Sequence, residues 1–105
     1  MKKELILFKI LDDVKKILEK YSIVFWLDCG TLLGVIRERK LIKWDDDIDI
    51  GCWKEKDDYR KKILLKKELV SLGYNVYLTD YWINIHKPDF PQYNFDINFY
   101  SGFTP

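Results

Sequence analysis

The stretch Trp44-Asp45-Asp46-Asp47-Ile48-Asp49-Ile50-Gly51 constrains the chain more than any other. Four carboxylates fall within five positions, beside two β-branched residues. Read as a β-strand, its second half sorts onto two faces, because side chains alternate with period two. Ile48 and Ile50 then point into a core. Asp47 and Asp49 point the other way, roughly 7 Å apart along the strand. Two such carboxylates repel, and the repulsion grows as water is excluded. A hard divalent cation such as Mg²⁺ would turn the pair into a site, since it takes one or two carboxylates plus phosphate oxygens and water. An acidic run on its own reads equally well as a solvated loop. A calcium loop does not fit, because its obligatory sixth-position glycine is Ile50 and its twelfth-position glutamate is Lys56.

The chain has 105 residues, which predicts one domain over 1–105. At 48% hydrophobic and 16% aromatic it can bury a core. No run approaches the ~18 apolar residues of a membrane span. The opening residues 1–11 superficially resemble a signal peptide. Lys9 interrupts the apolar run, however, and no small-residue cleavage site follows. A cytoplasmic protein is expected. The net charge of +1 gives no reason to expect nucleic acid as a partner. Cys29 and Cys52 form no CxxC, lack a Cys/His partner set at zinc spacing, and read as small buried, reduced thiols.

Leu7, Ile10, Leu11, Val14, Ile17, Leu18 and Tyr21 recur at helical spacing and predict an amphipathic helix over 3–20. The continuous apolar run 23–27 predicts a buried strand. It leads into Asp28-Cys29-Gly30-Thr31, where Gly30 permits a sharp turn and Thr31 can cap a short helix. Exposed N–H groups at such a helix start suit phosphate, although a plain helix cap is the simpler reading of Gly-Thr alone. Arg37, with Glu38, Arg39, Lys40 and Lys43 after it, gives a mainly cationic cluster that could hold an anionic substrate beside the acids.

A second amphipathic helix is predicted over 55–72, with Tyr59, Ile63, Val70 and neighbouring leucines on its apolar face and Gly73 as its stop. Strands follow over 74–78 and 82–86, divided by a turn at Thr79-Asp80, and then a last strand over 93–100. In that strand Phe95, Ile97 and Phe99 share one face, and Asp96, Asn98 and Tyr100 the other. His86, the sole histidine, shares a face with Trp82 and Asn84 and reads as structural or exposed. The changing hydrophobic period predicts an α+β (α/β) fold: a mixed sheet flanked by helices, in the order helix, strand, helix, strand, helix and three strands.

Gly30-Thr31 opening a helix, Asp47-x-Asp49 on a strand and Asp96 on a later strand together resemble the nucleotidyltransferase superfamily. The stretch from Trp26 to Ile50, WLDCGTLLGVIRERKLIKWDDDIDI, is similar to the signature of the LicD/fukutin family. One departure is Arg39-Lys40-Leu41, where family members often carry a glycine. Family domains also usually continue well past the third acid. The expectation is therefore a minimal version of the fold, truncated at its C-terminus, whose cleft needs a partner subunit or a homodimer to close it. Trp53, Trp82 and Tyr100 are candidate residues for the surface that such a partner covers.

The resemblance implies one or two Mg²⁺ ions, for which Mn²⁺ could substitute, on Asp47, Asp49 and Asp96. It implies donor phosphates at Gly30, Thr31 and Arg37, and Asp96 as acceptor of the hydroxyl proton. The implied reaction moves a phospho-alcohol of the phosphocholine type from a CDP-linked donor to a hydroxyl acceptor, such as a glycan. Transfer of a nucleotide from an NTP, or nucleotide or partner binding without turnover, are the alternatives.

Overall fold

The structure, a computed structural model, describes residues 3–28, 47–54 and 58–101. Helix α1 spans Lys3–Lys20, as its periodicity predicts. Ile6, Leu7, Ile10, Val14, Ile17 and Leu18 are buried along one stripe, and Leu11 and Tyr21 pack at its margin. Helix α2 spans Asp58–Ser71. Its buried stripe is Lys62, Leu65 and Leu69, whereas Tyr59 and Val70 are 69% and 50% exposed. The predicted face was thus rotated. The helix has several overlapping apolar stripes, and the packing selects the one containing Leu65 and Leu69.

Both helices end by the same device. Ser22 has φ 56° and Gly73 has φ 94°, and the next residue's N–H returns to a carbonyl one turn back, Ile23 to Leu18 at 2.9 Å and Tyr74 to Leu69 at 3.1 Å. This is the Schellman arrangement, with Ile23 and Tyr74 buried beyond the turn. Glycine adopts that backbone without penalty at residue 73, while Ser22 carries a Cβ into it.

The described residues form five strands: β1 Phe25–Leu27, β2 Asp47–Trp53, β3 Asn75–Leu78, β4 Trp82–His86 and β5 Asn94–Tyr100. They form one sheet in the order β1-β2-β5-β4-β3. Among the described strands β2 and β5 run parallel, and the other pairs are antiparallel. The mixed α+β architecture predicted from the changing period is the one observed. The 23–27 run is shorter and less covered than expected. As a three-residue edge strand, β1 pairs with β2 alone, its residues are half-buried, and Val24 is 69% exposed. The helix predicted between β1 and β2 lies outside the described residues.

One face of the sheet is apolar throughout its centre. Ile48, Ile50 and Cys52 of β2, Ile83 and Ile85 of β4, and Phe95, Ile97 and Phe99 of β5 join the buried stripes of α1 and α2 in a single core. Cys52 is fully buried inside it. The opposite face carries Asp47, Asp49 and Trp53, Trp82, Asn84 and His86, and Asn94, Asp96, Asn98 and Tyr100, all partly or largely exposed. Among the described residues no helix is long and apolar enough to cross a membrane.

Candidate active site

The parallel pairing of β2 with β5 sets Asp49 directly opposite Asp96, and Asp47 opposite Asn94. Neighbouring strands lie about 4.8 Å apart, so Asp49 and Asp96 start from adjacent backbone positions on the same face. On the other side of β5, Asn84 is the register partner of Asp96, and its amide donates to Asp96 Oδ1 at 2.8 Å. Asn98, two positions along the same face of β5, hydrogen-bonds the Asp49 carboxylate. Each acid of the central pair is therefore backed by an asparagine amide.

The pair is electrostatically loaded. Burial pushes the Asp49 carboxyl above its usual range, the charge of Asp96 adds to this, and Asp47 and Asp28 act in the same direction. Among the described residues, the Asn98 hydrogen bond opposes them. Asp28 is attached to the same neighbourhood from β1: its backbone N–H donates to the Asp49 carbonyl at 2.9 Å, and its carboxylate accepts from the Tyr100 hydroxyl.

Beyond the acids, Gly51 opens a space that Trp26 fills. A Cβ at residue 51 would overlap Nε1 and Cε2 of the Trp26 indole. Trp26 in turn packs with Trp53, centroids 5.0 Å apart, and stacks with Tyr100 at 5.9 Å. The acidic pair thus lies between an aromatic cluster on β1, β2 and β5 and a groove toward β4 lined by Trp82, Asn84, Asp96 and Asn98.

Of the predicted site residues, the structure brings Asp49 and Asp96 together, with Asp47 two positions along the same face. Gly30, Thr31 and Arg37 lie outside the described residues. Among the described residues, no three His, Cys, Asp or Glu side chains form a ready-made cage for a cation. What the register offers is a mutually repelling carboxylate pair. Its donor chemistry suits a hard divalent ion that completes its shell with phosphate oxygens and water. His86 stands apart, stacked on Tyr77 at 5.9 Å and within 3.3 Å of the Asn75 amide. Asn84, Asn98 and Asp28 were not singled out from sequence. Alternation already places Asn84 and Asn98 on polar strand faces, but it carries no signal for which strands become neighbours.

A family profile described as LicD/FKTN/FKRP, nucleotidyltransferase domain, matches residues 22–100. RP689, an uncharacterized protein of Rickettsia prowazekii, is 40% identical over 75 residues, covering 71% of this chain and 27% of that protein. The lipopolysaccharide cholinephosphotransferase LicD of Haemophilus influenzae is 40% identical over 58 residues, 55% of this chain and 21% of its own length. The chain therefore spans less than a third of either relative. Among solved structures, ANT(2'')-Ia in complex with adenylyl-2''-tobramycin superposes with a TM-score of 0.57 at 16% identity, over 90% of this chain and 50% of the other. That likeness is one of fold.

Proposed function

This chain belongs to the LicD/FKTN/FKRP nucleotidyltransferase-domain family, and from that membership we propose that it transfers a phospho-alcohol group from a CDP-linked donor to a hydroxyl acceptor. The observation that carries this reading is the register match of Asp49 with Asp96 on the open face of the sheet. The LicD relative, named a lipopolysaccharide cholinephosphotransferase, supports phosphocholine as the group and a glycan as the acceptor.

In the proposed reaction the acceptor oxygen attacks the phosphorus that bears the alcohol. A bond forms between them, the bond from that phosphorus to the bridging oxygen breaks, and CMP leaves. The acceptor's proton passes to Asp96, which Asn84 holds in place through its amide. Gly30 and Thr31 supply N–H groups to the donor phosphates, and Arg37 neutralises part of their charge. Asp47, Asp49 and Asp96 would hold Mg²⁺, or Mn²⁺ in its place, and the bound ion would polarise the phosphoryl oxygens. The charge concentrated around Asp49 supports a cation there, because pairing it with a positive ion removes the repulsion.

The test is product analysis with Mg²⁺, a glycan acceptor and either CDP-choline or CTP. Release of CMP together with phosphocholine on the acceptor is the expected result. Pyrophosphate release from CTP, with no turnover of CDP-choline, would assign the chain to nucleotidyl transfer instead.

A further inference from the structure

We propose that the groove lined by Trp82, Asn84, Asp96 and Asn98 is the acceptor subsite and that it takes a neutral sugar ring. The proposal rests on the transferase reading above and adds where the acceptor sits and what its chemistry is.

The groove lies on the open sheet face, on the β4 side of Asp96. Asp49 lies on the β2 side. An oxygen seated in the groove therefore approaches Asp96 from the side opposite the paired acid. In a three-strand arrangement centred on β5, that divides the acid site from the acceptor and leaves Asp96 touching both.

The lining selects the ligand. Trp82 is 40% exposed and presents an aromatic surface, on which the apolar C–H face of a pyranose can lie. Asn84 and Asn98 each spend one donor on a carboxylate. An amide carries a second N–H and a carbonyl with two lone pairs, so each can also meet a hydroxyl that both donates and accepts. One aromatic surface with a few convergent polar groups is the usual composition of a small-molecule site. Among the described residues the lining contains a carboxylate and no cationic side chain, which disfavours a phosphate or a second carboxylate there. The groove holds about 230 Å³, below the ~300 Å³ at which drug-sized pockets begin and suited to a single ring. A flexible polyol could form the same hydrogen bonds but has no flat apolar face to lay on Trp82.

The experiment is a titration of the ¹⁵N-labelled full chain with methyl hexosides, followed by NMR without donor or metal. Ribitol, inorganic phosphate and choline serve as comparison probes. The expected result is weak binding, with a Kd of about 1–10 mM, whose shifts centre on the Trp82 indole N–H and the Asn84 and Asn98 side-chain amides. Trp82→Ala should weaken binding at least tenfold, and Trp82→Phe, which keeps a ring, should recover part of it. Shifts confined to other residues, equal binding by Trp82→Ala, or a stronger response of the same signals to phosphate than to hexoside would each overturn the proposal. Because no reaction is involved, the two readings separate. Hexoside binding at Trp82 without turnover of CDP-choline would remove the catalytic assignment and leave the sugar site. Turnover with Trp82 unmoved by hexosides would remove the sugar site and leave the catalysis.

Discussion

The indole of Trp26 occupies the volume that any side chain at Gly51 would need. Trp26 is Gly51's register partner in the antiparallel pairing of β1 with β2, so the ring lies across the adjacent backbone instead of standing off the sheet. Gly51→Ala must displace it and disturb its packing with Trp53 and Tyr100. The expected cost is about 1–3 kcal/mol, as for overpacking elsewhere. Urea denaturation followed by tryptophan fluorescence checks this. An unchanged midpoint with an unchanged emission maximum would mean that the indole does not depend on residue 51.

Asp49→Asn should raise the stability of the metal-free chain at neutral pH. The native carboxyl is held above its usual range by burial and by Asp96, so its ionisation is less favourable folded than unfolded. That penalty is absent where Asp49 is protonated in both states and complete above the folded pKa. The neutral amide removes it. Thermal unfolding in EDTA should show a higher Tm for the variant, while Mg²⁺ should raise the Tm of wild type more than that of the variant. Equal stabilisation of both by Mg²⁺ would exclude Asp49 as a ligand.

Far from the acids, Tyr74 fastens the end of α2 to α1. Its hydroxyl donates to Asp13 Oδ2 at 2.6 Å, while Lys9 Nζ lies 2.9 Å from Oδ1. Burial alone would raise the Asp13 carboxyl, but the Tyr74 hydrogen bond and Lys9 outweigh it and leave it below its usual range. Burial, together with the same hydrogen bond, drives the Tyr74 hydroxyl well above its own range. The Asp13 contribution is therefore present above about pH 4 and lost as the pH falls through the lowered folded value. Tyr74 works at the other end. The unfolded chain ionises near pH 10 while the folded one does not, so stability falls above that pH. Tyr74→Phe should cost about 1–3 kcal/mol at pH 7 and weaken both limbs of the stability profile between pH 3 and 11. A parallel profile, merely shifted down, would dissociate the pH dependence from this pair.

Ser22 invites a stabilising change. Its φ of 56° suits glycine, as at Gly73, where the second helix ends in the same way. Relief of about 1–2 kcal/mol of left-handed strain, less the extra entropy of glycine in the unfolded chain, predicts a gain of about 0.5–1 kcal/mol for Ser22→Gly. A denaturation midpoint at or below that of wild type would contradict it.

How legible all this was depended on range along the chain. Local period alone gave α1 its ends and gave β2 and β5 their two faces, so the outward direction of Asp47, Asp49 and Asp96 could be read without a structure. Pairing could not. Nothing in the pattern of β2 names β5 as its neighbour, so the opposition of Asp49 to Asp96 and the support from Asn84 and Asn98 are tertiary facts. The same limit explains α2, where several residues could have formed the buried stripe and contact with the sheet decided for Leu65 and Leu69. The Gly51 position looked like the end of a strand motif, although β2 continues through it to Trp53 and the missing side chain serves Trp26.

The parallel pairing of β2 with β5 also has a kinetic meaning. Strands β3, β4 and β5 follow one another and pair antiparallel, so they can join through short loops. Strand β2 reaches β5 only after α2, β3 and β4 have been placed between them. Distant ends pay their closure entropy before any contact rewards it. The folding transition state is therefore expected to contain the three-strand meander, with β2 docking afterwards. Asp49 and Asp96 would meet only at that final step, when Ile48 and Ile50 are already being buried on the reverse side. Mutations such as Ile50→Val should then accelerate unfolding and leave the folding rate nearly unchanged, whereas Ile85→Val should slow folding. The carboxylates would be spared one another's charge until hydrophobic burial is there to hold them together.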